Sequence, residues 1–180
     1  VMLGGDAFRA ICDAKTPQGI AAEVKIPAFE IAPPQKSCLV LDGVSDPSNV
    51  GAILRTAVAA GYEEVYCISA ADPFSPKCVR ASMSAVFYAK IMQGTHEEVL
   101  SALRSVPLIA ADMGGENVFS FRAPKKFALV IGNEGQGLSE VMRKRADQTV
   151  AIPMGKHTES LNAAVSAGIL MYELKKKIKE

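Results

Sequence analysis

Three stretches of this chain concentrate side chains that can hold a ligand, and each follows a short apolar run. Residues 39–55 read Leu-Val-Leu-Asp-Gly-Val-Ser-Asp-Pro-Ser-Asn-Val-Gly-Ala-Ile-Leu-Arg. Residues 129–139 read Leu-Val-Ile-Gly-Asn-Glu-Gly-Gln-Gly-Leu-Ser, and residues 152–162 read Ile-Pro-Met-Gly-Lys-His-Thr-Glu-Ser-Leu-Asn. Arg55 carries a planar fork that matches a phosphate or a ribose, although a single helical arginine also lies readily along the surface toward water. Asn49 suits a helix cap or a ligand contact. Glu134 sits among Gly132, Gly135 and Gly137. Such residues permit either a tight left-handed turn or a close approach of backbone to a ligand. A carboxylate in that loop suits a sulfonium, an amine or a ribose hydroxyl. The glycine order G-x-x-G-x-G differs from the dinucleotide fingerprint, and no Gly-Lys-Ser/Thr follows as in a phosphate-binding P-loop. Ser160 and Asn162 are good helix-starting residues, and a helix N-terminus offers free N–H groups to a ligand. The loop before them (Lys156, His157, Thr158, Glu159) is more polar than a connection needs.

Other chemistries find little support. The chain has two histidines, His96 and His157, neither at ligand spacing to a cysteine, so no metal site is expected. The four cysteines (Cys12, Cys38, Cys67, Cys78) form no C-x-x-C pair and point to reduced thiols in a cytoplasmic protein. No Ser/His/Asp set is evident along the sequence. A formal net charge of +1 does not announce a nucleic-acid binder through bulk electrostatics. No run approaches the roughly 18 apolar residues of a membrane helix. The clusters at 143–145 and 175–177 read as solvated helix ends.

The elements that must position these residues alternate. Buried-type strands are expected at residues 38–41, 64–68, 89–92, 108–111, 127–131 and 149–152. Helices are expected at 49–60, ended by Gly61, at 75–84, at 95–104 behind a Thr-x-x-Glu capping box, at 139–145, and at 161–179. At 180 residues and 49% hydrophobic content, the chain supports one substantial core. The pattern implies an α/β fold, a mostly parallel sheet with helices on both faces. Ligands of such sheets sit outside the carboxyl ends of the strands, where the three loaded loops lie. Residues 1–36 read differently. They include a possible strand at 21–26 and a Pro-Pro linker, and are expected to be the tail of a preceding domain, with the catalytic domain at 37–180.

Taken together, the segments resemble the SpoU (TrmH) family of S-adenosylmethionine-dependent RNA ribose 2′-O-methyltransferases, in the SPOUT superfamily. Asp-Pro-Ser-Asn-Val-Gly-Ala-Ile-Leu-Arg-Thr-Ala at 46–57 resembles the first family motif. Residues 129–138 resemble the second, and residues 152–169 the third; their order and spacing also match. Thr-Pro-Gln-Gly-Ile at 16–20 resembles the end of a small N-terminal substrate-binding domain found in many ribosomal-RNA-modifying members. One departure is mild: Ser-Leu-Asn is followed by Ala163-Ala164 where many relatives carry Val-Ala. The resemblance implies a C-terminal trefoil knot, a homodimer with the cofactor pocket near its interface, and RNA as substrate, ribosomal RNA before transfer RNA. Carried across residue by residue, it places Asn49, Arg55, Glu134, Ser160 and Asn162 at active-site positions. It places the S-adenosylmethionine pocket at Ile131, Gly132, Ile152, Met154, Ser160 and Leu161, with Ala110, Ala111 and Asp112 as further candidates. Two other readings stay open: a catalytically silent RNA-binding relative, and a nucleotide-binding α/β protein of unknotted topology. Apolar residues on more than one face of the last helix (among them Leu161, Val165 and Tyr172) also favour a homodimer.

Overall fold

A computed structural model describes residues 1–12 and 16–176. Six strands form one parallel sheet: β1 (Cys38–Asp42), β2 (Glu64–Ile68), β3 (Lys90–Gln93), β4 (Leu108–Asn117), β5 (Ala128–Gly132) and β6 (Gln148–Ala151). Their order is β3-β2-β1-β5-β4-β6. The helices are α1 (Gly5–Ile11), α2 (Pro47–Ala60), α3 (Pro76–Ser82), α4 (His96–Ala102), α5 (Glu140–Arg145) and α6 (Ala163–Lys176). A single 3-10 turn at Ala85–Phe87 continues from α3.

The alternation of side chains along each strand divides the core in two. Leu39, Leu41, Val65, Leu129 and Ile131 pack on one face with Ile53, Leu54 and Ala57 of α2 and Ala167, Leu170 and Leu174 of α6. Cys38, Val40, Tyr66, Ala128 and Val130 pack on the other with Val99 of α4 and Met142 of α5. Strands buried on both faces read as continuous apolar runs, which is why no polar alternation marked them. Burial also pushes the Cys38 and Cys67 thiols up to about 12 and Cys78 to about 11, leaving them inert as nucleophiles near neutral pH.

Three sequence expectations change. Residues 21–26 form no strand and lie exposed, joined to neither edge of the sheet. α1 was not anticipated; it buries none of its residues. β4 extends to Asn117, well past the expected end at 111. Its register against β6 slips, with both Ala111 and Glu116 opposite Val150, so 112–115 form a bulge. Gly115 makes this possible, since a Cβ there would stand 2.5 Å from the Val150 backbone nitrogen. Lys177, Ile178 and Lys179, counted in the last helix from sequence, lie outside the described residues.

Chain order and space order diverge at the site. β5 inserts between β1 and β4, so the carboxyl ends of β1 and β5 become neighbours although their sequences lie far apart. After β6, at the sheet's edge, the chain crosses back over the strand ends and α6 packs against α2 and β5. α2 is locked against α3 at Gly51, where a Cβ would lie 2.5 Å from the Cys78 carbonyl oxygen and 2.6 Å from Ala81 Cβ. Alanine is the better helix former by about 0.5–1 kcal/mol, but the contact is with backbone that cannot swing aside. Overpacking of this kind costs about 1–3 kcal/mol. Gly51→Ala should therefore lower stability by about that amount in urea unfolding; a stabilised variant would contradict the packing.

Candidate functional site

The site begins at the loop after β5. Asn133 and Gly137 close it with a pair of backbone hydrogen bonds of 2.8 and 3.0 Å. The Asn133 side-chain oxygen accepts from the N–H groups of Gly135 and Gln136, both at 2.9 Å. Its amide nitrogen donates to the Gly43 carbonyl at 2.8 Å, tying this loop to the one after β1. Gly137 takes φ +70°. A Cβ on Gly132 would collide at 2.5 Å with the Gly137 carbonyl carbon. The glycines thus serve the loop's own tight turn, and Gly132 makes room for the chain itself.

That turn presents Glu134 to the start of α2. One carboxylate oxygen accepts from Ser45 N and Ser45 Oγ, both at 3.1 Å; the other accepts from Asp46 N at 3.2 Å and Asn49 Nδ2 at 2.8 Å. Partial burial alone would raise the Glu134 pKa. The hydrogen bonds from Asn49, from the Ser45 and Asp46 amides and from its own backbone outweigh that effect and hold it at about 2. An ionised carboxylate only accepts, so Asn49 must turn its amide nitrogen to Glu134 and its oxygen outward. That oxygen accepts from Asn162 Nδ2 at 2.9 Å. Asn162 then has its own oxygen free to cap α6, accepting from Ala164 N at 2.9 Å and Val165 N at 3.3 Å. One chain of acceptors and donors joins all three loaded loops.

Asn49 is therefore not the cap of its helix. Asp46 holds that position, accepting from Ser48 N at 2.8 Å, with Pro47 in the first helical position. Asp46 also meets Lys77 Nζ at 2.9 Å, and this contact, with the Ser48 amide, holds its carboxyl below the usual range. Starting the helix at Pro47 places Asn49 on its first turn, facing Glu134.

The other expected residues fall into two groups. Arg55 is exposed on α2 and takes no part in the Glu134 hydrogen-bond network, and Ser160 is exposed in the irregular segment before α6, where Asn162 does the capping. Ala110, Ile131, Gly132 and Ile152 share the sheet's carboxyl edge. Ala110 lies between Val130 of β5 and Thr149 of β6. Ile131 follows Val130, and Ile152 follows the last residue of β6. Ala111 ends the regular pairing; Asp112 opens the bulge, where it accepts from Gly114 N at 3.2 Å and meets Arg143 at 3.6 Å. Met154 and Leu161 are 37% and 36% exposed, apolar groups facing water at the same edge. Exposed apolar side chains beside polar loops are the lining a small-molecule site uses.

A Ser/His/Asp set, not evident in sequence, does assemble in space. His96 Nε2 lies 2.9 Å from Asp42 Oδ1 and 3.1 Å from Ser139 Oγ. A catalytic relay needs the carboxylate and the hydroxyl on opposite ring nitrogens, whereas here both meet the same one. Ser139 Oγ is further committed to Met142 N at 3.2 Å as the cap of α5, and Ser139 N donates to Asp42 at 2.7 Å. The set pins α4 and α5 to the end of β1. Among the described residues, no three His, Cys, Asp or Glu side chains converge as a metal would need, and no helix is long and apolar enough to cross a membrane.

Comparison with known proteins gives a consistent picture. The SpoU rRNA Methylase family matches residues 36–172. A Bacillus subtilis protein, the 23S rRNA (guanosine(2553)-2′-O)-methyltransferase RlmP, is 33% identical over 97% of this chain and 71% of its own length. The AdoMet-bound rRNA methyltransferase from Sinorhizobium meliloti superposes with a TM-score of 0.78 at 29% identity, covering 86% of this chain and 62% of that one. A structure described for 2-OH methylation of C/U34 on tRNA gives a TM-score of 0.71 at 30% identity, over 79% of this chain and 95% of that one. The chain thus spans 62% of the Sinorhizobium protein and 71% of the Bacillus one.

The Glu134 arrangement predicts a pH dependence. Its folded pKa is depressed from the ordinary 4.5 to about 2, so the stability its ionised form contributes is fully present above 4.5. That contribution is lost as pH falls toward about 2. A carboxyl NMR titration should show Glu134 still ionised at pH 3.5; a midpoint near 4.5 would contradict the network.

Proposed function

The chain belongs to the SpoU rRNA methylase family, and we propose on that footing that it transfers a methyl group from S-adenosylmethionine to a ribose 2′-hydroxyl of RNA. The observation that carries this reading is the Asn49–Glu134–Asn162 network, which joins three separate motifs at one sheet edge. Ribosomal RNA is the favoured substrate over transfer RNA, because the ribosomal-RNA relative from Bacillus subtilis matches 97% of the chain, residues before position 37 included. On this reading residues 1–36 belong to an RNA-capturing front domain, and residues 37–180 to the catalytic one. The crossing from β6 back to α6 is the passage that forms the trefoil knot.

Ile131, Gly132, Ile152, Met154, Ser160 and Leu161 would hold the cofactor, with Ala110, Ala111 and Asp112 at its margin. When bound it supplies a methyl group on a positively charged sulfur. This chain's residues supply position. Arg55, whose planar guanidinium offers a fork of N–H donors, orients the ribose and the adjacent phosphate and lowers the effective pKa of the hydroxyl. The hydroxyl proton leaves to water. Asn49 and Glu134 fix the first turn of α2, the helix that carries Arg55, and Asn162 holds the start of α6 beside it. Holding reactants in place supplies a large share of such a barrier reduction.

On this reading the site is completed at a homodimer interface, and the exposure of Arg55 within one chain supports it. Val165 and Tyr172 of α6, 50% and 46% exposed, lie on one face of that helix and suit the contact. Light scattering should give a mass near twice 19.1 kDa; a monomer at micromolar concentration would overturn the dimer.

Arg55→Ala should abolish labelled-methyl transfer to RNA while S-adenosylhomocysteine binds within a few-fold of wild type by calorimetry. Near-normal turnover would remove Arg55 from the mechanism. Gly132→Val would first break the turn at 133–137, so its effect on cofactor affinity would not separate pocket from fold.

A further inference from the structure

The loaded loops occupy the carboxyl ends of the strands. At the opposite, amino ends two adjoining clefts open, of about 470 and 240 Å³, with Lys36 and Gly61 in the wall between them. The larger is lined by Lys36, Lys125, Lys126 and Lys175, and the smaller by Tyr88 and Lys90. Segments far apart in sequence bring these lysines together, so no charge run announced them.

Their charge is little neutralised. Lys175 Nζ donates to the Ala60 carbonyl at 2.6 Å, at the end of α2, and Lys126 Nζ donates to the Pro34 carbonyl. Carbonyls fix the ammonium groups without cancelling them. The carboxylates lining the clefts are Glu63 and Glu64. Glu64 is already occupied by the Gln35 and Lys36 amides and, at 3.9 Å, by Lys90. Lys36 and Lys125 are exposed. Five lysines against two glutamates at one edge stand out in a chain whose whole formal charge is +1.

Tyr88 stands on the rim of the smaller cleft. Tyr88 and Phe87 are 72% and 64% exposed. They follow Met83 and Ser84, successive non-glycine residues at φ +47° and +73°, a costly conformation for side-chain-bearing residues. The fold holds this corner open, where burial would have been the easier use of two aromatic side chains. Clustered cations beside exposed rings are what an unpaired nucleic-acid strand uses: phosphates meet the charge and bases stack on the rings.

We propose that this lysine-lined edge binds a single-stranded segment of RNA, with phosphates at Lys36 and Lys125 and a base on Tyr88. The proposal rests on the RNA reading above and adds a second contact surface, at the opposite ends of the strands. It would hold the flank of the substrate while the ribose to be modified lies at the Glu134 edge. An acidic protein segment would use the lysines without the ring.

The test is fluorescence anisotropy of a labelled, unstructured oligouridylate against wild type, Lys36→Gln/Lys125→Gln, Tyr88→Ala and Arg55→Ala, over a salt series. All four proteins are checked for S-adenosylhomocysteine binding as evidence of intact folding. Each phosphate contact on a single strand contributes about 0.7 to the slope of log K against log salt. The double lysine variant should therefore lower the slope by about 1.4. Stacking is worth about 1–3 kcal/mol per base, so Tyr88→Ala should weaken binding at least about five-fold. Wild-type slope and affinity in both cleft variants would overturn the proposal and leave the RNA reading standing. A lysine effect without a Tyr88 effect would overturn it in favour of a general polyanion patch. Absence of RNA binding by the wild-type protein would overturn both.

Discussion

A single carboxylate organises the functional end of this protein. Glu134 accepts from two backbone amides, one hydroxyl and one side-chain amide, all contributed by the turn that follows β1 and the start of α2. These segments are neighbours only because β5 inserts beside β1. Sheet order therefore places the acceptor, and the acceptor in turn fixes the loop. Its acceptor-only chemistry orients Asn49, which orients Asn162, which caps α6. Reversing any one amide would put two like groups face to face, so the relay has one low-energy arrangement.

The relay accounts for several residues that otherwise look like separate features. The glycines around Glu134 allow the loop to double back on itself; Gly132 leaves space for Gly137 and Leu138. Asp46 and Pro47 begin α2 early enough for Asn49 to reach across. Asp42, Ser139 and His96 anchor the far side of the same loop to β1 and α4. Arg55, Met154, Ser160 and Leu161 remain outside the relay and face solvent, and the proposed chemistry rests on them.

Most elements were legible because buried parallel strands and amphipathic helices leave strong periodic marks. Strand 64–68 and the Thr95–Glu98 capping box appear as the sequence implied. The strand order was not legible, since nothing in the local pattern of residues 128–132 says that they pair between β1 and β4. The extension of β4 was hidden by Gly114-Gly115, a pair that ordinarily marks a turn, whereas here Gly115 lies where the bulge presses against β6. Residues 21–26 have strand-like composition but join neither edge of the sheet. The site residues were found by type and spacing, and their roles were blurred for a local reason. Asn49 reads equally as a cap, and only the Asp-Pro pair ahead of it reveals that the cap is taken. Glu134 suggested a ligand contact because its hydrogen-bond donors lie some 85 to 89 residues away. The lysine clefts were invisible for the same cause: their cations come from four separate junctions.

One ionised carboxylate holds three loops in a single arrangement. Amide hydrogen exchange in wild type and Glu134→Gln tests this most directly. Ser45 N–H and Asp46 N–H, which donate to Glu134, should lose protection in the variant, and so should Ala164 N–H at the far end of the relay. Core amides of β1 and β5 should exchange as before. Unchanged protection at Ser45, Asp46 and Ala164 would mean that the loops hold themselves in place and that Glu134 is a passenger in the site.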